Sequence, residues 1–134
     1  MALLKLEVIT PVKVTLQVET GSVIAPGVQG YLGVLPGHAP LITPLKPGVV
    51  TYRREDGSEE RLAVSGGFLE AGPEQVVILA DTAEKAAEID VERAREARER
   101  AEQRLREHPP GLDVARAEVA LERAVARLKA AGAL

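Results

Sequence analysis

QVVILADTAEKAAEIDVERAREA, residues 75–97, changes character halfway along. Gln75 to Ala80 is a short apolar run of strand length. From Asp90 onward, small apolar residues recur among charges at threes and fours, which is the period of a helix. Asp90 stands just ahead of that run, where a carboxylate can accept the unpaired N–H groups of a first turn. Two kinds of chain meet here, and the boundary falls near Asp81-Thr82.

Upstream, the chain reads as strands and tight turns. All three aromatics (Tyr31, Tyr52, Phe68), ten of the twelve glycines and seven of the nine prolines lie before residue 82. Leu4, Leu6 and Val8 alternate with polar residues, and so do Val12, Val14, Leu16 and Val18, a period of two that puts one face in a core. Val49 to Arg54, the turn signal Asp56-Gly57 and Arg61 to Val64 read as a hairpin with a type I′ turn. Phe68 to Ala71, Gly72-Pro73 and Gln75 to Ala80 read as another. Strands at this spacing predict an antiparallel β-sandwich or barrel.

Downstream, alanine, glutamate and arginine dominate. Asp90 and Asp113 each precede a helical run, and His108-Pro109-Pro110-Gly111 separates the two. Ala94, Ala97, Ala101 and Leu105 form one apolar stripe; Val114, Ala117, Leu121, Val125 and Leu128 form the other. A short connection makes the helices antiparallel neighbours. The expected fold is therefore α+β in sequence-separated parts: a β-sandwich over 1–84 and an α-helical hairpin over 85–134. Alanine seams bury little area, so the hairpin is expected to be marginal alone and easily detached.

Composition narrows the function. The chain has 134 residues, enough for one core plus an appendage. Residues 1–81 carry six basic and nine acidic side chains, and residues 82–134 carry eleven of each, for a net charge of −3. That balance argues against a nucleic-acid coat, which needs a basic excess. Cysteine is absent, which removes thiol chemistry and zinc-thiolate sites, and His38 and His108 are too few for a multi-histidine metal centre. No apolar run approaches the roughly 20 residues of a membrane span, and the N-terminus lacks a signal-peptide plan. A cytoplasmic protein is expected.

Catalytic signatures fail one by one. No P-loop occurs. Gly27, Gly30 and Gly33 recur at threes but lack a strand-turn-helix frame, and read as turn glycines. Ser65 lacks the setting of a nucleophile elbow. His38 has no evident Ser or Asp partner. One feature stands apart: Ile89-Asp90-Val91-Glu92-Arg93-Ala94 recurs as Leu112-Asp113-Val114-Ala115-Arg116-Ala117. Arg93 and Arg100 lie two turns apart on the first helix, and Arg116, Arg123 and Arg127 follow on the second. If the helices pack antiparallel, Arg93 and Arg100 can face Arg123 and Arg127, and guanidinium forks from two helices suit a polyphosphate. The same residues would also serve as a solvated, ion-paired face, and the sequence leaves both readings open.

Val34-Leu35-Pro36-Gly37-His38-Ala39-Pro40-Leu41, Leu45-Lys46-Pro47-Gly48, Ala63-Val64-Ser65-Gly66-Gly67-Phe68-Leu69-Glu70 and Val77-Ile78-Leu79-Ala80-Asp81-Thr82-Ala83-Glu84 together resemble the epsilon subunit of bacterial F-type ATP synthases, from about residue 4 to 129. The resemblance implies a sandwich, commonly of ten strands, followed by a helical hairpin. It implies a non-catalytic rotor subunit of the central stalk, peripheral on the cytoplasmic face of the bacterial plasma membrane. The implied partners are the gamma subunit, the c-ring and, when the hairpin extends to block ATP hydrolysis, the alpha and beta subunits. The end of the sandwich around Tyr31, Pro36, Gly37 and His38 is the implied c-ring contact. In some members the folded hairpin binds ATP as a regulatory ligand, with or without magnesium, through an Ile/Leu-Asp-x-x-Arg-Ala motif. Ile89, Asp90, Arg93 and Ala94 match it, and Glu84, Arg100, Arg123 and Arg127 match further positions that serve ATP there. Pro109-Pro110-Gly111 departs from the polar linker of those members and argues against a single continuous extended helix. The alternatives are an enzyme acting on bound nucleotide, for which no catalytic constellation exists, and a β-sandwich adaptor without nucleotide binding.

Overall fold

A computed structural model describes residues 2–134. Eight strands come first: β1 (Leu4–Ile9), β2 (Val14–Thr20), β3 (Val23–Gly27), β4 (Gly30–Val34), β5 (Leu41–Arg53), β6 (Glu59–Ala71), β7 (Gln75–Ala80) and β8 (Ala83–Lys85). A 3₁₀ turn, Ala86–Glu88, leads to α1 (Val91–Glu107) and α2 (Val114–Ala130).

The strands form one hydrogen-bonded sheet in the order β2-β1-β7-β6-β5-β3-β4, with β8 on the first half of β6. It closes into a sandwich because β5 and β6, thirteen residues each, run through both layers. Leu62 to Val64 of β6 pair with β8, while Gly67 to Ala71 pair with β7. The strand turns the corner at Gly66 and Gly67, with φ of 117° and 127°. A Cβ on Gly67 would lie 1.9 Å from the Leu79 carbonyl oxygen, so no other residue fits. Between the layers, Leu4, Leu6, Val8, Val23, Val34, Val50, Leu62, Leu69, Val76 and Ile78 are all but inaccessible. Each such side chain contributes about 1.5–3 kcal/mol on burial.

The division into strands and then helices is as expected, but the details differ in ways that have local causes. The sheet is not wholly antiparallel: β1 and β7 pair in parallel, Lys5 to Ile9 beside Gln75 to Leu79. Among the described residues there are eight strands where the resemblance implies ten. Val12 is outside any strand and 90% exposed, because β2 begins at Val14. Thr15 bulges between the Val8–Leu16 and Ile9–Val14 pairs, which turns Val14 outward while Leu16 stays inside. The β5–β6 turn is not type I′: only Gly57 takes a positive φ, and its N–H donates to the Arg54 carbonyl in a three-residue loop. Leu41 to Gly48 continue β5 despite Pro44 and Pro47, which sit where the β3–β5 ladder ends or is interrupted. The division placed between residues 84 and 85 falls inside β8, whose Lys85 still pairs with Leu62.

Both helices start as the sequence indicates. Asp90 Oδ1 accepts from Arg93 N–H and Asp113 Oδ1 from Arg116 N–H, each at 3.1 Å. α2 lies between β5 and β6 on one side and α1 on the other. It therefore buries two stripes. Ala117, Ala124 and Leu128 are buried at helical spacing, and Ala126 and Ala130 join Val49, Ala63 and Ile89 in a small cluster against the sheet. The single stripe expected for α2 misses Ala126 and Ala130, and it includes Val114, which is exposed. Between the helices, His108 takes the left-handed conformation at φ 47° and Gly111 follows at 80°, on either side of the two prolines.

Candidate functional site

The motif residues converge where the hairpin meets the sandwich. A cleft of about 340 Å³ is lined by Glu84 of β8, Glu88 of the 3₁₀ turn, Asp90, Arg93, Ala94, Ala97 and Arg100 at the start of α1, and Arg127 of α2. Ile89, between Glu88 and Asp90, is buried in the cluster with Ala126 and Ala130 and does not line the cleft. Arg123 is one turn from Arg127 and lines an adjoining crevice with Ser65, Thr82, Glu84 and Arg127. Within that crevice the buried Ser65 hydroxyl accepts from Thr82 Oγ1 at 2.6 Å. Six of the eight residues expected at one site thus share a cleft, and the other two border it. Glu88 and Ala97 are additions. Ala97 belongs to the α1 stripe, and Glu88 reaches the site through the 3₁₀ turn, which no feature of the sequence signals.

The electrostatics of the cleft follow from which groups already have partners. Glu84 Oε1 accepts from Arg127 Nε at 2.6 Å, Glu88 accepts from the Lys85 N–H at 3.0 Å, and Asp90 caps α1. All three carboxylates are thereby engaged within the chain. Among the described residues, Arg93, Arg100 and Arg123 form no ion pair, while Arg95 and Arg98 of the outer face pair with Glu92 and Glu102. The ion-paired arginines are a different set, although Arg93, Arg100 and Arg123 are solvent-exposed as well. What the cleft presents to an incoming molecule is the unpaired Arg93 and Arg100 of α1 beside the Glu84-paired Arg127 of α2, with an edge of engaged acids. Of three larger hollows among the described residues, two, about 600 and 540 Å³, lie at the Asp56 hairpin and beside the Gly72-Pro73 turn. Both are open depressions, and neither gathers cations from more than one element. The third, about 500 Å³, lies at the hairpin tip, where the second copy of the motif makes the same cap and Arg116 of α2 lies with Arg104 of α1; unlike the cleft at Asp90, it is lined by no residue of the sandwich.

Tyr31 and the Pro36–His38 loop are positioned separately. Tyr31 is the second residue of β4, and its hydroxyl accepts from the Val49 N–H of β5 at 3.0 Å. The loop follows the other end of β4 and is tied to the β6–β7 turn by Gly37 N–H donating to the Pro73 carbonyl at 2.7 Å. His38 Nδ1 is 2.5 Å from the Ala39 carbonyl. On the outer face of the other layer, Pro44, Phe68, Leu79, Ile9 and Val14 stand directly opposite one another across five strands. Phe68, Leu79 and Val14 are each more than half exposed, and Ile42 beside them is 71% exposed. A contiguous apolar row of this kind is rare on an isolated monomer. No group of residues suited to hold a metal ion occurs among the described residues, and no helix is long and apolar enough to cross a membrane.

Comparison with known proteins agrees with this architecture. Residues 3–86 match the family described as ATP synthase, Delta/Epsilon chain, beta-sandwich domain, and residues 87–132 match its long alpha-helix domain. The ATP synthase epsilon chain of Moorella thermoacetica is 77% identical over 134 residues, covering 100% of both chains. That of Brevibacillus brevis is 54% identical over 96% of this chain and 97% of its own. A chain in a structure of the Euglena gracilis mitochondrial ATP synthase, comprising OSCP, F1 and c-ring, superimposes with a TM-score of 0.83 at 27% identity, covering 98% of this chain and 82% of that one. Matched by both domains of one family and at this level of identity to its members, the chain belongs to the ATP synthase delta/epsilon family.

Proposed function

We propose that the chain is a non-catalytic central-stalk subunit whose sandwich holds the rotor together and whose hairpin is a nucleotide-sensitive regulator of ATP hydrolysis. The observation that carries the regulatory part is the composite cleft. Its wall is drawn from β8, the 3₁₀ turn, α1 and α2, so it exists only while the hairpin lies on the sandwich. Its unpaired cations suit a polyphosphate, and about 340 Å³ lies within the range of small-molecule sites. ATP bound there favours the docked hairpin by its higher affinity for that state. The undocked hairpin then reaches the alpha and beta subunits and slows hydrolysis. No step of this role makes or breaks a covalent bond.

The apolar row through Phe68 and Leu79 is the surface we assign to the gamma subunit, and the loop carrying Pro36, Gly37 and His38, with Tyr31, to the c-ring. The complex as a whole would place the chain peripherally on the cytoplasmic face of the plasma membrane. The test combines two measurements. ATP titrated into the pure chain, with and without magnesium, should show saturable calorimetric binding and bring a label on α2 closer to one on the sandwich. A chain lacking residues 86–134 should still assemble with gamma and the c-ring and support synthesis, while hydrolysis is relieved. Absence of ATP binding at millimolar concentration, together with normal assembly, would leave the adaptor reading in place.

A further inference from the structure

β5 loses its β3 partner where the hairpin rests on it. The β3–β5 ladder holds at Val23–Tyr52 and Ile24–Thr51, is interrupted, and resumes at Gly27–Leu45. Pro26 stands in the gap and has no N–H to offer. The Arg53 N–H of β5 points to the β3 side, donating to the Ser22 carbonyl. Val49, four residues earlier, keeps that orientation by the alternation of a strand but has no ladder partner in β3. Its N–H donates instead to the Tyr31 hydroxyl at 3.0 Å. Tyr31 belongs to β4, which pairs with β3 through Pro26–Tyr31, so the phenol crosses β3 to reach β5. Gly48 leaves it room: a Cβ there would lie 2.8 Å from the Tyr31 hydroxyl and 2.5 Å from the Pro26 Cβ. Val49 is also the seat of α2, 8% exposed and packed with Ala63, Ile89, Ala126 and Ala130.

We infer that Tyr31 is a positioning residue for hairpin docking: it acts through Val49, whose N–H it keeps satisfied while α2 covers that strand. The inference rests on the hairpin movement proposed above and is independent of the nucleotide site. A buried donor without an acceptor carries its full desolvation cost, whereas one open to water carries little. With the hairpin docked, Val49 is closed off and the phenol is its acceptor. With the hairpin lifted, the outer face of β5 is wet, and water takes the place of the phenol. Loss of the hydroxyl therefore penalises the docked state and spares the undocked one, and such a difference is what shifts a population. The ring itself stays 55% exposed, so the side chain assigned to the c-ring contact also reaches the seat of the hairpin.

The chain has no cysteine, so single thiols on the full chain can report opening. Ala126→Cys places a thiol in the seam, where a soluble disulfide reagent reaches it only when the hairpin lifts; Val50→Cys places one in the main core, reached only on global unfolding. Tyr31→Phe keeps the ring and removes the hydroxyl, and should speed modification at position 126 about tenfold. The control uses Val50→Cys in a chain whose hairpin is already released by Ala126→Asp, a buried unpaired charge against Val49. There the Val49 N–H is open to water, and Tyr31→Phe should change the rate at position 50 less than about twofold. Ala126→Arg supplies a second released background if the first loses its β-type circular dichroism. No acceleration at position 126 overturns the inference. So does an acceleration of about tenfold at position 50 in the released chain, which would make Tyr31 a prop of the sandwich whether or not the hairpin is docked. If, with Tyr31 intact, the thiol at position 126 reacts no faster than the one at position 50, the hairpin does not leave the sandwich by itself; the regulatory reading then fails, and the inference falls with it.

Discussion

At the residue scale, positions with one tolerable identity are those where backbone meets backbone. Gly67 is the sharpest case, with positive φ and the Leu79 carbonyl where a Cβ would stand. Gly67→Ala should cost more than about 3 kcal/mol, combining left-handed strain with a forced shift of β7. A loss below about 1 kcal/mol in urea unfolding would mean that the corner relaxes easily. The two caps allow a paired comparison. Asp113→Ala should cost about 1 kcal/mol of hairpin stability as a lost N-cap and leave ATP affinity unchanged, whereas Asp90→Ala should cost about the same and also weaken ATP binding, because its turn carries Arg93. Asp56 offers a pH readout. The Ser58 hydroxyl and the Ser58 N–H hold its carboxylate below its usual range. A depressed pKa contributes stability that is full above the unfolded value of about 3.9 and is lost as pH falls through the folded one. Asp56→Asn should flatten that acid limb, and an unchanged pH profile would remove Asp56 from it. The sequence exposes Asp90 as a cap by position alone, but it cannot show that Glu84 is bonded to Arg127, because that contact depends on where a three-residue strand places the chain.

At the element scale, legibility follows how many faces an element buries. β1 alternates cleanly and β7 is an apolar run of strand length, so both are readable, and so is α1, which uses one stripe. β2 is misread at its start because one bulged residue, Thr15, reverses the alternation there. α2 is half-legible because it packs on two partners, and alanine at 124, 126 and 130 gives no sign of which face meets the sheet. The connection between the helices is readable, and its consequence is mechanical. Pro110 lacks the N–H for a helical bond to Arg106, and it restricts Pro109 away from helical angles. Fusing α1 and α2 into one rod would cost about 3 kcal/mol or more on that account. The hairpin is therefore expected to leave the sandwich with its two helices still paired. Spin labels at the exposed Glu96 and Glu122 should keep their separation when a label pair between α2 and the sandwich moves apart. If both distances lengthen together, the hinge lies at 108–111 and the prolines do not hold the helices together.

At the scale of the whole molecule, the two parts differ in how much holds them. The sandwich closes its own core, with no helical residue in the main buried cluster. The hairpin is attached through Val49, Ala63, Ile89, Ala126 and Ala130 and the Glu84–Arg127 pair. A chain ending at residue 86 should keep β-type circular dichroism and cooperative melting, since what it loses is a small patch against Val49 and Ala63. At about 25 cal/mol per Å², alanine contacts of that kind amount to a few kcal/mol before the entropy of ordering is subtracted. A ligand at one hundred times its Kd adds about 2.7 kcal/mol to the state it binds. The two quantities are of similar size, so modest affinity suffices to shift the hairpin population. A change that weakens docking should then oppose the ligand: Ala126→Asp buries an unpaired charge against Val49 and should release the hairpin even under saturating ATP. The expected signature of Ala126→Asp is a long α2–sandwich distance in wild-type-like sandwich fold, with ATP binding lost although every cleft residue is retained. Undiminished ATP binding in that undocked protein would mean that the arginines form a complete site on the hairpin alone, and the nucleotide would then have no purchase on docking.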